Sequence, residues 1–103
     1  MSDIAQTPEP PYYAVMFTSV RTKDDHGYAA TAQRMLTLAE QQKGFLGYES
    51  ARHDLFGISV SYWESLEAIK SWREHPKHRQ VQSMADQWYA KSCIRICKVE
   101  RSY

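Results

Sequence analysis

The stretch from Tyr12 to Val20, YYAVMFTSV, constrains the fold of this chain more than any other. Its aromatic and β-branched residues read as a strand. Side chains alternate across a strand, so Tyr13, Val15 and Phe17 share one face, and Tyr12, Ala14, Met16 and Val20 share the other. Both sets are largely apolar. A strand that is apolar on both faces is covered on both.

The rest of the chain supplies one cover. Arg21 to Asp25 is a charged turn, with Asp24 or Asp25 able to cap a helix from about His26 to Gln42. Tyr28, Ala32, Met35, Leu38 and Ala39 give that helix one apolar face, and Lys43-Gly44 closes it. Phe45 to His53 and Gly57 to Trp63 read as two strands joined closely by Asp54-Leu55-Phe56-Gly57, a hairpin. The second alternates cleanly, with Ile58, Val60 and Tyr62 on one face and Ser59, Ser61 and Trp63 on the other. Ser65 can cap a helix over Leu66 to Glu74, whose Leu66, Ile69 and Trp72 share a face. Pro76 opens a further helix carrying Val81, Met84, Ala85 and Trp88, and Ser92 to Glu100 is the last strand.

The order strand, helix, strand, strand, helix pair, strand is the ferredoxin-like βαββαβ plan, an α+β fold with a four-stranded antiparallel sheet. Helices cover one sheet face. The other face carries Tyr, Val and Ile side chains, too large an apolar patch for a monomer to expose. Packing against the same face of a second copy hides it, so a homodimer through sheet faces is expected.

Length fits one domain: 103 residues divide into a loose leader over residues 1–11, which holds three of the four prolines, and a domain over residues 12–103. Thirteen basic residues against 12 acidic ones give no excess to neutralise phosphates, so nucleic acid is not an expected partner. No apolar run approaches the ~20 residues of a membrane span. Met1 to Pro11 lacks a signal-peptide pattern, and cytoplasm is the default compartment. Cys93 and Cys97 on one strand lie ~13 Å apart. A disulfide needs Cα atoms within ~7 Å, so they do not pair with each other there.

Several segments together resemble the antibiotic biosynthesis monooxygenase domain family, in particular its small stand-alone bacterial members. They are Tyr12-Tyr13-Ala14-Val15, Phe17-Thr18-Ser19, Arg21-Thr22, Gly27-Tyr28, Gly44-Phe45-Leu46-Gly47-Tyr48-Glu49-Ser50, Gly57 through Trp63, Trp72-Arg73 and Trp88-Tyr89. The resemblance covers roughly residues 12–101 and implies a dimeric α+β barrel. It also implies a choice of chemistries. Some members oxidise polycyclic phenols to quinones with O2 and no cofactor, neither metal, flavin nor haem. Others bind haem and degrade it, and many have no assigned reaction.

The cofactor-free reaction needs a dry aromatic pocket, a few hydrogen bonds and a proton acceptor. Ser59, Ser61 and Trp63 shape such a pocket if their face lies under the helices. The resemblance matches Trp63 to a tryptophan that lines the pocket of the quinone-forming members. Those members carry an asparagine where this chain has Ser59 and a tyrosine where it has Ile69. For haem breakdown, the axial-histidine position falls at Gln82 and the asparagine position near Phe17, and neither side chain suits those tasks; His75 or His78 nearby could substitute as the ligand, which leaves haem degradation as a further alternative. Tyr28, Trp72 and Trp88 lie on inward helix faces, as core or as walls for a flat ring. His75 and His78 are spaced to share a helix face, but no third metal ligand lies in a nearby motif. They read as a cap and a solvated histidine, or as candidate proton acceptors near neutral pH. The leading expectation is a cofactor-independent monooxygenase acting on an aromatic or quinone-like molecule. The alternative is a non-catalytic dimeric domain that binds a small hydrophobic ligand or serves as a stress-related scaffold.

Overall fold

A computed structural model describes residues 3–103; Met1 and Ser2 of the leader lie outside the described residues. Four strands and four helices follow in the order β1 (Tyr12–Arg21), α1 (Tyr28–Glu40), β2 (Phe45–His53), β3 (Phe56–Trp63), α2 (Leu66–Arg73), α3 (Pro76–Gln82), α4 (Ala85–Trp88) and β4 (Tyr89–Val99). The sheet runs β2-β3-β1-β4 with every neighbouring pair antiparallel, the ferredoxin-like arrangement.

The alternation in β1 and β3 decides what each face holds. Cross-strand partners lie on the same face. Tyr13 pairs with Trp63, Val15 with Ser61 and Phe17 with Ser59, and this face lies under the helices. Ala14 pairs with Tyr62, Met16 with Val60 and Thr18 with Ile58 on the opposite face. The helix-side core centres on Trp63, Ile69 and Ala39, with Tyr13, Val15, Phe45, Ala68 and Trp72 packed around them. Each fully buried large side chain contributes about 1.5–3 kcal/mol of hydrophobic stabilisation.

The far face is only partly covered. Ile58 is 40% exposed and Phe56 51% exposed, while Tyr12 is buried. Part of that cover comes from the leader. The Ala5 N–H donates to Glu49 Oε2 at 2.9 Å, and the Thr7 hydroxyl meets the Tyr12 hydroxyl at 2.7 Å. Cys97 on this face lies 3.5 Å from Met16 Sδ, and both cysteines are free thiols.

Element boundaries depart from the sequence reading where the backbone bends. Helix α1 starts at Tyr28 rather than His26, because His26 (φ 48°) and Gly27 (φ 78°) adopt the left-handed region, which a right-handed helix excludes. Asp25 still contributes a cap, accepting from the Ala29 N–H at 3.3 Å. Gly44 has the left-handed φ of 91° expected of it, and a Cβ there would lie 2.6 Å from Ala68 Cβ, so α2 also needs the glycine.

The one helix expected after Pro76 is two. Ser83 Oγ donates to the Gln80 carbonyl at 2.6 Å and Met84 leaves helical geometry, so the chain breaks between α3 and α4. Strand β4 begins at Tyr89, three residues before Ser92. The Trp88 carbonyl is already held by the Thr22 N–H at 2.9 Å and by Arg21 Nε at 2.9 Å, which fastens this corner to β1. Gly57 does not end the hairpin turn, since β3 starts at Phe56 and the turn is Asp54-Leu55. It leaves room for Arg52, whose guanidinium lies where a Cβ on Gly57 would stand.

Candidate functional site

Between the sheet and the helices lies a cavity of about 450 Å3. Its floor is the helix-side face of β1 and β3, with Val15, Phe17, Ser59, Ser61 and Trp63. The two serines interrupt an otherwise apolar strand, and they place hydroxyls along the cavity floor. Helix α1 supplies one wall through Tyr28, Thr31, Ala32, Met35 and Leu36.

Three rings in series form the wall at one end. Trp63 is fully buried, and its Nε1–H donates to Ser61 Oγ at 2.9 Å. Trp72 stacks over Trp63 with centroids 6.3 Å apart, and Phe45 meets Trp63 edge-on at 5.4 Å. His78 then stacks on Trp72 at 4.5 Å, with its Nδ1 3.1 Å from the Trp72 carbonyl. A carbonyl only accepts, so Nδ1 carries the hydrogen. In the neutral ring Nε2 is therefore a bare lone pair. Burial pushes the His78 pKa below the usual histidine value. The bond to the Trp72 carbonyl opposes that shift, and the nearby His75 and Arg73 add to it. His78 thus presents a neutral imidazole beside an aromatic wall, with an Nε2 that is unengaged among the described residues.

The other end is built from α1, α4 and the start of β4. Tyr28 and Tyr89 meet edge-on with centroids 5.6 Å apart, and the Tyr89 hydroxyl donates to the Tyr28 hydroxyl at 3.0 Å. Trp88 packs edge-on against Tyr28, and its Nε1–H donates to the His26 carbonyl at 3.1 Å. Phe17 stands against Tyr89 at 5.1 Å.

Phe17, Tyr28, Ser59, Ser61, Trp63, Trp72, Gln82 and Trp88 all line this one cavity, and so does His78. His75 does not. Its Nδ1 accepts from the Lys77 N–H at 3.1 Å and caps α3, and its ring tilts against Trp72 at 5.7 Å. Thus the two histidines, three residues apart, do different jobs. A second groove of about 590 Å3, lined by α2, α3 and Ile96 of β4, shares Ile69, Arg73 and Gln82 with this cavity. Its rim of Lys70, Arg73, Glu74 and Arg79 is solvent-exposed and holds no imidazole.

Sequence reasoning passes over Tyr48 and Tyr89. Phe45 and Tyr48 are three apart and so fall on opposite faces of a regular strand. A register shift between Phe45 and Gly47 pairs Phe45 with Trp63 and Tyr48 with Ser61, which returns both to the cavity. The glycine inside Phe45-Leu46-Gly47-Tyr48 is the signal for that bulge. Tyr89 follows Trp88 with no intervening turn residue, so nothing local marks the switch from helix to strand.

Comparison with known proteins agrees with this architecture. The family model described as antibiotic biosynthesis monooxygenase matches residues 11–84. The chain is similar to protein YqjZ of Bacillus subtilis (strain 168), 48% identical over 103 residues, covering 98% of this chain and 90% of the relative. Among solved structures it is similar to SnoaB, a cofactor-independent oxygenase from Streptomyces nogalater. The TM-score is 0.78 at 10% identity, over 90% of this chain and 97% of SnoaB. It is likewise similar to Rv0793 from Mycobacterium tuberculosis, with a TM-score of 0.73 at 13% identity over 89% of this chain and 96% of the other. At these identities the structural matches speak for the fold, while the matched segment spans most of the domain that builds the cavity. The chain belongs to the antibiotic biosynthesis monooxygenase family.

Proposed function

We propose that this protein is a cofactor-independent monooxygenase that takes a planar phenolic or quinone-like molecule into the cavity and lets it react with O2. The observation that carries the reading is the cavity: aromatic walls around one imidazole held neutral, with its lone pair free of the protein among the described residues. A flat ring packs between the walls of Trp72, Phe17 and Tyr28. His78 Nε2 takes the phenolic proton. The resulting phenolate is electron-rich enough to pass an electron to O2. One oxygen atom enters the ring as a carbonyl and the other leaves as water, with both hydrogens and all the electrons supplied by the substrate. Ser59 and Gln82 offer hydrogen bonds that orient the ring.

Haem breakdown suits these residues less well. Gln82 and Phe17 stand at the histidine and asparagine positions of the haem-degrading members and neither side chain ligates iron, so an axial ligand would have to come from His78, the imidazole that lines the cavity. The working unit is a homodimer joined through the open sheet faces, supported by the half-exposed Ile58 and Phe56 on a face otherwise built of Met16, Val60 and Tyr62.

One observation favours a second reading, a domain that binds such a ligand without turning it over. Ile69 is 2% exposed beside Trp63, where the quinone-forming members carry a tyrosine hydroxyl. An oxygen electrode separates the two. With a panel of dihydroxynaphthalenes and anthrones, the oxygenase reading expects O2 uptake that is lost in His78→Gln and reduced in Trp63→Phe. Tight binding of these compounds with no uptake identifies the binding domain instead.

A further inference from the structure

The cavity has chemically distinct ends, and the second end does more than close it. Cross-strand register pairs Tyr13 with Trp63 at one end of β1 and Arg21 with Tyr89 at the other. The Tyr89 ring leans back against Phe17 at 5.1 Å, four strand residues from Tyr13, so the two ends stand roughly 13 Å apart along β1. His78 stands with Trp72 and Trp63 at the first end. The Tyr28 and Tyr89 hydroxyls meet toward the second.

Two hydroxyls carry two hydrogens, and their mutual bond uses one. Whichever tyrosine donates, the other keeps a hydrogen, and both tyrosines line the cavity. Positive charge stands behind the pair. The Arg21 guanidinium lies 3.6 Å over the Tyr28 ring and is anchored on the Trp88 carbonyl at 2.9 Å and the Asp24 carbonyl at 3.2 Å. Arg52 donates to Ser19 Oγ at 2.8 Å and to the Leu55 carbonyl at 2.6 Å. Every one of those acceptors is neutral. Among the described residues the ion pairs are His26 with Asp24 and His53 with Asp54, so neither arginine meets a carboxylate. Both guanidiniums remain charged at any physiological pH. Burial and the bond to Tyr28 hold the Tyr89 hydroxyl well above the usual tyrosine range, against the opposing pull of Arg52 and Arg21, so Tyr89 keeps its hydrogen.

We propose that the Tyr28–Tyr89 hydroxyl pair, backed by Arg21 and Arg52, anchors a carboxylate on the ligand, at the far side of the ring system from the phenolic oxygen that meets His78. The proposal rests on the reading of the cavity as a site for phenols and narrows it to aromatic hydroxy acids. An apolar cavity alone selects for a flat shape. A spare hydroxyl donor backed by two guanidiniums that meet no carboxylate among the described residues adds a preference for negative charge at one end.

The test compares two probes on the full chain: naphthol, and a naphthol bearing a carboxylate on the ring opposite its hydroxyl. Their own fluorescence reports binding. The acid is expected to bind about tenfold tighter than naphthol, the increment of one hydrogen bond to a charged group. The preference shrinks as salt rises, because both arginines are partly exposed. Tyr28→Phe or Tyr89→Phe alone leaves one phenolic hydrogen and keeps most of the preference. The Tyr28→Phe/Tyr89→Phe double variant loses it, and naphthol binding by that variant serves as the folding control, since phenylalanine keeps both rings. Arg52→Gln, a change at an exposed side chain, lowers the preference severalfold and supplies the same test should the double variant not fold. If naphthol binds and the carboxylate adds nothing, or if its advantage survives both the double variant and Arg52→Gln, the anchoring subsite is wrong and the cavity reading stands. If neither probe binds, both fall.

Discussion

His78 lies flat against Trp72, with ring centroids 4.5 Å apart, planes 18° from parallel and Nδ1 3.1 Å from the Trp72 carbonyl. One tryptophan thus fixes both the orientation and the tautomer of the histidine, through its ring and its backbone. The neighbouring His75 bonds through the same atom with the opposite role, as an acceptor. Its Nε2 carries the hydrogen, and it has no lone pair to offer.

The pH dependence of His78 follows from its burial. Its folded pKa is below the unfolded value of about 6.5, so the folded state resists protonation. The stability this neutral ring contributes is complete above that value and is lost as pH falls through the folded pKa. In an NMR titration the His78 ring is expected to show its midpoint below 6.5. Stability of the wild type is expected to fall more steeply than that of His78→Gln on acidification below pH 6.5. A midpoint at or above the ordinary value contradicts the assigned role.

Ser61 accepts the only hydrogen that the Trp63 ring can donate, inside the helix-side core. Ser61→Ala leaves that N–H buried without an acceptor and is expected to cost about 1–3 kcal/mol in urea unfolding. Once Trp63→Phe has removed the donor, adding Ser61→Ala costs clearly less, so the two changes are non-additive. Strict additivity shows that the bond carries no energy.

Besides the Thr7–Tyr12 hydroxyl contact, the leader is tied to the sheet through one carboxylate. Glu49 accepts from the Ala5 N–H at 2.9 Å and from the Tyr62 hydroxyl at 2.5 Å. These bonds, that to Ala5 foremost, lower its pKa, so its contribution is present above the usual value of 4.5 and lost as pH falls through the folded pKa. Glu49→Gln is expected to raise the rate of proteolytic cleavage within residues 3–11 severalfold at pH 7 while leaving the unfolding midpoint nearly unchanged. Equal cleavage rates show that the leader is not held by Glu49.

The open sheet face carries Met16, Ile58, Val60 and Tyr62, and the leader covers only its Tyr12 end. Sedimentation is expected to give twice the chain mass of 12.0 kDa at micromolar concentration. Val60→Asp places a charge at the centre of that face and is expected to yield monomers with unchanged far-UV circular dichroism. A wild-type chain that sediments as a monomer removes the dimer.

Much of this architecture is legible in the residues themselves. The alternation of Ser59, Ser61 and Trp63 against Ile58, Val60 and Tyr62 separates the two faces of β3, and the run from Tyr12 to Val20 marks β1 as apolar on both faces. The helix faces bearing Tyr28, Trp72 and Trp88 follow from spacing, because helical period is a local property. What escapes is set partly by contacts distant in sequence and partly by which nearby backbone groups a side chain reaches. The pairing of Tyr28 with Tyr89 joins residues 61 positions apart. The bulge that turns Tyr48 inward depends on pairing with β3, and the break at Ser83 depends on a side chain bonding back to Gln80. The division of labour between His75 and His78 is likewise invisible in their spacing, since it comes from which backbone groups their rings reach.

The most direct measurement uses isotopically labelled dioxygen with a dihydroxynaphthalene or anthrone that the protein consumes, followed by mass spectrometry of the quinone. A cofactor-independent monooxygenase places one labelled oxygen atom in each product molecule and loses this activity in His78→Gln. Product whose new oxygen is unlabelled, or bound ligand that never consumes O2, contradicts the oxygenase.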